Sequence, residues 1–193
     1  KFFSDAVWRS IFQMILGYYL SPNLITKENI VYLNKNILQN TTKEDNPAEG
    51  VTKICEVFSL KFKNVANLLK PIIELIDYAN INYFNFEVYP FNSHQGLNYN
   101  IYTGENKGRY DYHIDMENLN KRCTAKLTCI INLSEEDYTG GDFFLFDGKE
   151  TCIKKFKPGS LVIFPSFFPH KVSPVLSGKR KTLSIWQLGP WWH

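Results

Sequence analysis

Two stretches of the first eighty residues, Asp5–Tyr19 and Asn64–Ala79, carry apolar residues every three or four positions. This spacing places the apolar side chains on one face and predicts two helices that pack against a core. A weaker helical pattern covers Thr26–Leu38, where Thr26 and Asn29 form an imperfect N-terminal cap. The polar stretch NTTKEDNPAEG, residues 40–50, then predicts a loop that is either a plain connector or a mobile lid.

After residue 80 the pattern changes to short segments rich in β-branched and aromatic residues, separated by Gly, Pro, Asn and Asp. Each segment predicts a strand, and together they are Tyr83–Tyr89, Gln95–Tyr102, Tyr110–Ile114, Ala125–Leu133, Asp142–Phe146, Thr151–Lys155, Ser160–Phe164, His170–Pro174 and Thr182–Leu188. No long helical pattern separates them, which favours an antiparallel barrel or jelly roll over a parallel sheet. We therefore expect one α+β, mainly β domain over residues 1–193, with a mostly helical support (1–80) and a β core (81–190).

Composition and charge narrow the class of protein further. The chain has 193 residues, of which 44% are hydrophobic and 21% are charged, as is usual for a globular protein. The net charge of +3 is too small to indicate nucleic acid or an anionic membrane as a partner. No apolar run reaches the roughly 18–20 residues of a membrane span. The four cysteines form neither a CxxC pair nor a dense disulfide pattern, so we expect reduced thiols and a cytoplasmic location.

The segment YDYHIDM contains a candidate metal-binding pair. His113 and Asp115 stand two residues apart, so on a strand both side chains leave the same face. His170 offers a third ligand. Two imidazoles and one carboxylate on one face of an octahedron leave three positions open, which is the arrangement of non-haem Fe(II) oxygenases. A His-x-Asp pair alone is more often a hydrogen-bonded surface pair, so further evidence is needed.

That evidence comes from Arg180, which stands ten residues after His170 at the start of an apolar strand. Its guanidinium offers a planar pair of donors that suits a carboxylate. The alternative is a surface arginine in a basic run with Lys179 and Lys181. If Arg180 points into the same cavity as the candidate ligands, the two features together define a site for a metal and an anionic cosubstrate.

The motifs HID, GGDFFLF, PGSLVIFP and HKVSPVLSGKR occur in an order that resembles the Fe(II)/2-oxoglutarate oxygenase superfamily, specifically its prolyl 4-hydroxylase-like branch. The resemblance covers roughly residues 95–190. It implies a double-stranded β-helix core, with His113, Asp115 and His170 as the iron ligands. It also implies that Arg180 binds the distal carboxylate of 2-oxoglutarate.

Two further residues are candidates for cosubstrate binding. The resemblance matches Tyr102 to a tyrosine on the strand before the His-x-Asp motif, with Tyr99 as the fallback and wall packing as the structural alternative. On the strand CTAKLTCIINL, strict alternation puts Ala125 and Thr128 on opposite faces. Thr128 then either lines the cavity or serves only the β propensity of the strand.

The resemblance also implies the chemistry: Fe(II), 2-oxoglutarate and O2 as cofactors, ascorbate as reductant, and hydroxylation coupled to the formation of succinate and CO2. Asp115 favours hydroxylation over halogenation, because halogenating relatives have a small residue at that position. A prolyl residue of a peptide or protein is the expected substrate, and the aromatic-rich EVYPFNSHQGLNYNIY could line a groove for it.

Three alternatives remain open at this point. The enzyme could hydroxylate a free amino acid or a lysyl side chain, or the chain could be a catalytically silent jelly-roll binding module. Demethylation of nucleic acid is disfavoured, because relatives with that activity carry a second spaced arginine after the distal histidine and this sequence lacks it. We expect neither a nucleic-acid nor a membrane partner, and the sequence leaves the oligomeric state undetermined.

Overall fold

The computed structural model describes residues 17–44, 52–92, 95–115, 123–154 and 156–192. In chain order these residues form strand β1 (Tyr19–Ser21), helix α1 (Lys27–Leu38), strands β2 (Thr42–Glu44), β3 (Lys53–Ile54) and β4 (Glu56–Lys61), helix α2 (Ala66–Ala79), and strands β5 (Gly96–Thr103), β6 (Arg109–His113), β7 (Thr124–Asn132), β8 (Thr139–Gly140), β9 (Phe143–Phe146), β10 (Glu150–Cys152), β11 (Leu161–Pro165), β12 (His170–Val172), β13 (Val175–Ser177) and β14 (Lys179–Gly189). A 3-10 turn, Phe62–Asn64, precedes α2, and a π-helical turn, Asn80–Phe84, follows it.

Most of these strands belong to two antiparallel sheets. The larger sheet has the strand order β1-β11-β7-β14-β5-β4-β2, and the smaller sheet has the order β10-β9-β12-β6-β3. Strands β13 and β8 form a separate two-stranded ribbon. Non-consecutive strands lie side by side in both sheets, which is the arrangement of a double-stranded β-helix, or jelly roll. The predicted α+β, mainly β fold is confirmed.

The larger sheet is the central layer because both of its faces are apolar. On one face, Leu127 and Ile131 of β7 belong to the same buried cluster as Leu69 and Ile72 of α2. On the other face, Ile130 belongs to a second cluster that includes residues of the smaller sheet such as Phe143. Strand β7 is consequently buried along its whole length. The helices thus support the sheet from behind, and the opposite face is left for the smaller sheet.

A polar contact fixes α1 against the larger sheet. Asn34 is a buried residue of α1, and its side-chain amide donates a hydrogen bond to the Leu133 carbonyl at 2.9 Å. The Tyr99 hydroxyl of β5 donates to Asn34 Oδ1 at 2.8 Å. Because these buried polar groups satisfy one another, they fix the position of the helix without leaving an unpaired donor in the core.

The helices that the periodicity predicts are confirmed where the structure describes them. Helix α1 begins after Thr26, whose Oγ1 accepts a hydrogen bond from the Asn29 amide at 3.3 Å, as the imperfect cap indicated. Most of the predicted helix over Asp5–Tyr19, up to residue 16, lies outside the described residues. Its last residue, Tyr19, belongs to strand β1. Four short strands, β1 to β4, also lie in the first eighty residues, so this half is less helical than the pattern predicted.

The strand predicted over Tyr83–Tyr89 is wrong. Helix α2 continues into the π-helical turn, and residues 85–92 form no regular element. Asn80 explains the change, because its side chain accepts from the Phe86 amide at 3.0 Å and donates to the Phe86 carbonyl at 2.9 Å. Both backbone groups of Phe86 are thereby taken from any strand partner. Asn85 adopts a positive φ of 53°, which also interrupts an extended chain.

Other expectations concern the loop, the cysteines and the membrane. Residues Thr42–Glu44 of the predicted loop form edge strand β2, and residues 45–51 lie outside the described ranges. All four cysteines are free thiols, as expected. Within the described ranges, neither helix has the length and apolar character needed to cross a bilayer.

Leu69→Ala should reduce the free energy of unfolding by about 2–5 kcal/mol, because Leu69 is fully buried between α2 and the larger sheet. The neighbouring exposed residue provides a matched control, and Lys70→Ala should change the stability by about 0.5 kcal/mol or less. Urea denaturation of both variants measures the difference. Equal stability of the two variants would contradict the assigned packing of α2.

Candidate metal and cosubstrate site

A cavity of about 470 Å³ lies between the two sheets. The larger sheet contributes polar side chains from β5 and β14, and the smaller sheet contributes side chains from β3, β6 and β12. Polar and aromatic side chains that line the cavity include Lys53, Asn100, Tyr102, Tyr110, His113, Asp115, His170 and Arg180. The cavity therefore contains the three predicted metal ligands and the predicted cosubstrate arginine.

The antiparallel pairing of β6 with β12 brings the candidate ligands together. His170 lies directly opposite His113 in this pairing. His113 Nε2 lies 3.6 Å from Asp115 Oδ1, and His170 Nε2 lies 3.4 Å from Asp115 Oδ2. The three donor atoms lie within 4.8 Å of one another, close enough for one ion to bind all three. Two imidazole nitrogens and one carboxylate oxygen suit Fe(II) with open positions.

Backbone carbonyls orient both imidazoles. His113 Nδ1 lies 2.9 Å from the Asp111 carbonyl, and His170 Nδ1 lies 3.0 Å from the Phe168 carbonyl. A proton on each Nδ1 satisfies these contacts and leaves the Nε2 lone pair free for a metal. Burial and the neighbouring His170 lower the pKa of His113 to about 4. The imidazole is therefore neutral at pH 7, so protons do not compete with a metal there.

Thr128 orients the carboxylate of Asp115. Its Oγ1 donates to Asp115 Oδ2 at 2.9 Å and lies 3.0 Å from Ser166 Oγ. The Asp115 amide in turn donates to the Ser166 carbonyl at 2.9 Å. Thr128 is fully buried and is not among the residues that line the cavity, so the contact that the structure shows for it is with Asp115. Its expected role in cosubstrate binding stays a prediction.

Arg180 is the most unusual charge in the cavity. It is 1% exposed, although a buried guanidinium is normally paired. Among the described residues, its Nε and Nη2 have no hydrogen-bond partner. Its nearest aromatic neighbours are Tyr102 and Phe156, with ring centroids 5.4 Å and 5.7 Å from the guanidinium carbon. Two unpaired donors on one planar group fit a carboxylate from outside the chain.

The two candidate tyrosines both belong to β5, but their side chains lie in the apolar clusters on opposite faces of the larger sheet. Tyr102 is directly opposite Arg180 in the β5–β14 pairing and lines the cavity. Tyr99 lies in the cluster behind the sheet, where its hydroxyl contacts Asn34. Burial is the main reason that the pKa of Tyr102 is raised well above its ordinary value, so its hydroxyl remains protonated and able to donate. Tyr102 is thus the better candidate for a cosubstrate ligand.

Two bulges change which side chains face the cavity. Between β14 and β7, Gln187 pairs with Leu127 but Leu188 pairs with Ala125, so one residue of β7 is skipped. Ala125 therefore lines the cavity, contrary to the strict alternation expected from the sequence. A second irregularity in the β12–β6 pairing lies between His113 and Tyr110, and both rings line the cavity.

Sequence reasoning missed three polar or aromatic residues of the site. Tyr110 stacks on His113 with ring centroids 3.5 Å apart. Lys53 and Asn100 line the same cavity, and Lys53 Nζ donates to Asn100 Oδ1 at 3.0 Å. Lys53 lies in a two-residue strand far from the recognised motifs, and no local pattern indicated its position.

Residues 97–188 match the model of the 2OG-Fe(II) oxygenase superfamily. A PKHD-type hydroxylase from Stutzerimonas stutzeri (strain A1501) is 35% identical over 94 residues, which are 46% of this chain and 41% of that protein. A PKHD-type hydroxylase from Shewanella sp. (strain MR-7) is 29% identical over 178 residues, which are 86% of this chain and 75% of that protein. The first of these matches thus spans about two fifths of the relative's length.

A solved structure gives the same result for the fold. The prolyl-4-hydroxylase of Pseudomonas putida superposes with a TM-score of 0.68 at 19% identity, over 91% of this chain and 94% of that one. The jelly roll with two histidines and a carboxylate in one cavity is the architecture of a non-haem iron oxygenase. Over residues 97–188 this chain is similar to the 2OG-Fe(II) oxygenase superfamily, which confirms the resemblance that the sequence motifs indicated.

Thr128→Val should weaken Fe(II) binding about tenfold, because it removes the hydrogen bond that orients the Asp115 carboxylate while keeping the side-chain volume. Thr124→Val is a matched control on the same strand, since Thr124 is also buried and its Oγ1 has no partner among the described residues. Anaerobic Fe(II) titration of both variants provides the test. Unchanged affinity in Thr128→Val would exclude the positioning role.

Proposed function

We propose that this protein is an Fe(II)- and 2-oxoglutarate-dependent dioxygenase that hydroxylates a prolyl residue of a peptidyl substrate. One observation carries the proposal: His113, Asp115 and His170 share a cavity with a buried arginine, and two donors of its guanidinium have no partner among the residues that the structure describes. A metal site alone would fit many functions. The unpaired guanidinium adds a requirement for an anion, which 2-oxoglutarate meets through its distal carboxylate.

In this proposal each polar side chain has a defined role. His113, Asp115 and His170 hold Fe(II), and Arg180 with Tyr102 binds the distal carboxylate of 2-oxoglutarate. When bound, Fe(II) and 2-oxoglutarate activate O2 for substrate hydroxylation, with succinate and CO2 as coproducts and ascorbate as a reductant that keeps the iron ferrous. The protein supplies the placement and a water-poor cavity, in which the charge of Arg180 is weakly screened.

The proposed substrate class is supported by the relatives of the chain and by an aromatic surface near the candidate metal site. The chain is similar to PKHD-type hydroxylases and to a prolyl-4-hydroxylase. Phe167 lies near the candidate metal site, because it follows Ser166, whose carbonyl accepts a hydrogen bond from the Asp115 amide. Its ring packs against the rings of Phe86 and Trp192. Phe167 is 37% exposed and Trp192 is 40% exposed. These partly exposed rings offer an apolar surface on which a prolyl ring could pack.

The proposed setting is a reducing one. All four cysteines are free, including the buried Cys55 and Cys129. Fe(II) and free thiols both persist under reducing conditions, so we propose that the protein acts in the cytoplasm.

Incubation of the iron-loaded protein with 2-oxoglutarate, O2 and a panel of proline-containing peptides should yield succinate and a product heavier by one oxygen. His113→Ala should abolish both products, because the remaining two ligands cannot hold the metal in the same geometry. Mass spectrometry and succinate detection measure the outcome. A panel that includes lysyl peptides and free amino acids separates the alternative substrates. Succinate without peptide oxidation in the whole panel would exclude the prolyl substrate but not the oxygenase.

Arg180→Met should weaken 2-oxoglutarate binding by about 100-fold or more, because two charge-assisted hydrogen bonds are lost. Fe(II) affinity should change little, since Arg180 is not a metal ligand. The visible charge-transfer band of the anaerobic Fe(II)/2-oxoglutarate complex reports the affinity. Lys179→Met removes an exposed positive charge one residue away and serves as the control. Equal 2-oxoglutarate affinity in both variants would exclude Arg180 as the cosubstrate ligand.

A further inference from the structure

Lys53 is a second buried cation in the cavity. It is 8% exposed, and its ammonium donates to Asn100 Oδ1 at 3.0 Å. It also lies 4.6 Å from the centre of the Tyr110 ring. Lys53 is placed there by β3, which pairs with β6 so that Lys53 lies opposite Tyr110. The cation is therefore held by the smaller sheet, beside the strand that carries His113.

No carboxylate in the described part of the chain forms an ion pair with this charge. Among the described residues, none of the ion pairs within 4.0 Å involves Lys53, and its polar contact is with a neutral amide. Burial lowers the pKa of the Lys53 ammonium, and the nearby Cys55 and Asp115 offset that effect only in part. Asp115 is itself a candidate metal ligand. A buried lysine without a counter-ion is uncommon, because desolvation is not offset by an ion pair.

The charges of the proposed cofactors do not balance Lys53 either. Fe(II) and Arg180 together carry three positive charges. Asp115 and the two carboxylates of 2-oxoglutarate together carry three negative charges. The loaded site is neutral without Lys53, so the ammonium adds one positive charge that the cofactors leave unbalanced. An anionic group on the remaining ligand of the cavity, the substrate, would balance it.

Lys53 also lies at a different position along the larger sheet from Arg180, the candidate ligand of the cosubstrate. Asn100, its partner, pairs with Thr182, whereas Tyr102 pairs with Arg180. Two residues along a strand correspond to about 7 Å, so Lys53 and Arg180 contact different positions along the sheet. The Tyr110 ring contacts both groups, because His113 stacks on it at a centroid distance of 3.5 Å and the Lys53 ammonium lies 4.6 Å from its centre.

We propose that Lys53, held by Asn100, binds a carboxylate of the substrate, so that the oxidised carbon belongs to a molecule with a nearby carboxylate. The inference rests on the proposed oxygenase function and narrows its substrate class. The carboxylate has two possible sources. It belongs either to an acidic or carboxy-terminal residue of a peptide, or to the α-carboxylate of a free amino acid such as proline.

Matched probes test the proposal on the protein loaded with Fe(II) and 2-oxoglutarate under anaerobic conditions. One pair is L-proline and L-prolinamide, and the other is a proline peptide with glutamate beside the proline and its glutamine counterpart. Binding is followed through the change in the charge-transfer band. We expect the wild type to bind the carboxylate member of at least one pair tenfold or more tightly than the amide member. The pair that shows the preference identifies the source of the carboxylate.

Lys53→Met keeps most of the side-chain volume and removes the charge, so it should abolish this preference while changing 2-oxoglutarate affinity less than twofold. Lys53→Arg should restore part of the preference, which a purely structural role would not do. Lys63→Met removes an exposed lysine outside the cavity and should retain the wild-type preference. Thermal unfolding of each variant confirms that it is folded.

Three outcomes would overturn the inference. They are equal binding of the two members of each pair to the wild type, binding of neither member, and a tenfold loss of 2-oxoglutarate affinity in Lys53→Met. The last outcome would make Lys53 a cosubstrate ligand. Failure of the proposed function is distinguishable from all three, because the charge-transfer band would then not form in the wild type.

Discussion

The pairing of β6 with β12 determines the geometry of the site, because it places His170 directly opposite His113. Side chains on a strand alternate between its faces, so a slip of one residue would turn one histidine away from the cavity. Each imidazole is then oriented by the backbone carbonyl two residues before it, His113 by that of Asp111 and His170 by that of Phe168. Backbone pairing and backbone acceptors thus orient the two candidate metal-binding nitrogens, and Tyr110 packs against the ring of His113.

The larger sheet completes the site from the opposite side. Thr128 of β7 contacts Asp115, and Arg180 of β14 provides a guanidinium whose Nε and Nη2 have no partner in the described part of the chain. Both strands lie in the interior of a sheet that helices cover on its other face, so their side chains have little freedom to move. Burial of a guanidinium without a counter-ion costs free energy, and a bound carboxylate would offset that cost. The same burial therefore favours the binding of an anionic cosubstrate.

Much of this site could be predicted from the sequence, because its key residues follow local rules. His113 and Asp115 share a face through the two-residue period of a strand, and Arg180 begins a long apolar strand. The rest depends on long-range pairing. The bulge that turns Ala125 towards the cavity arises between β7 and β14, more than fifty residues apart in sequence. The contact of Thr128 with Asp115 likewise forms only when the two sheets meet.

Lys53 shows the limit of local reasoning most clearly, because its strand has two residues and no recognisable pattern. The two buried cations that line the cavity, Arg180 and Lys53, differ in their chemistry. Arg180 offers a planar fork on an interior strand, which suits one fixed carboxylate geometry, whereas Lys53 offers a point charge on a flexible stem. A cosubstrate of constant structure fits the first, and substrates that differ in shape fit the second. Because β3 lies at the edge of the smaller sheet, substitutions there can alter substrate recognition while β6 and β12 keep the metal geometry unchanged.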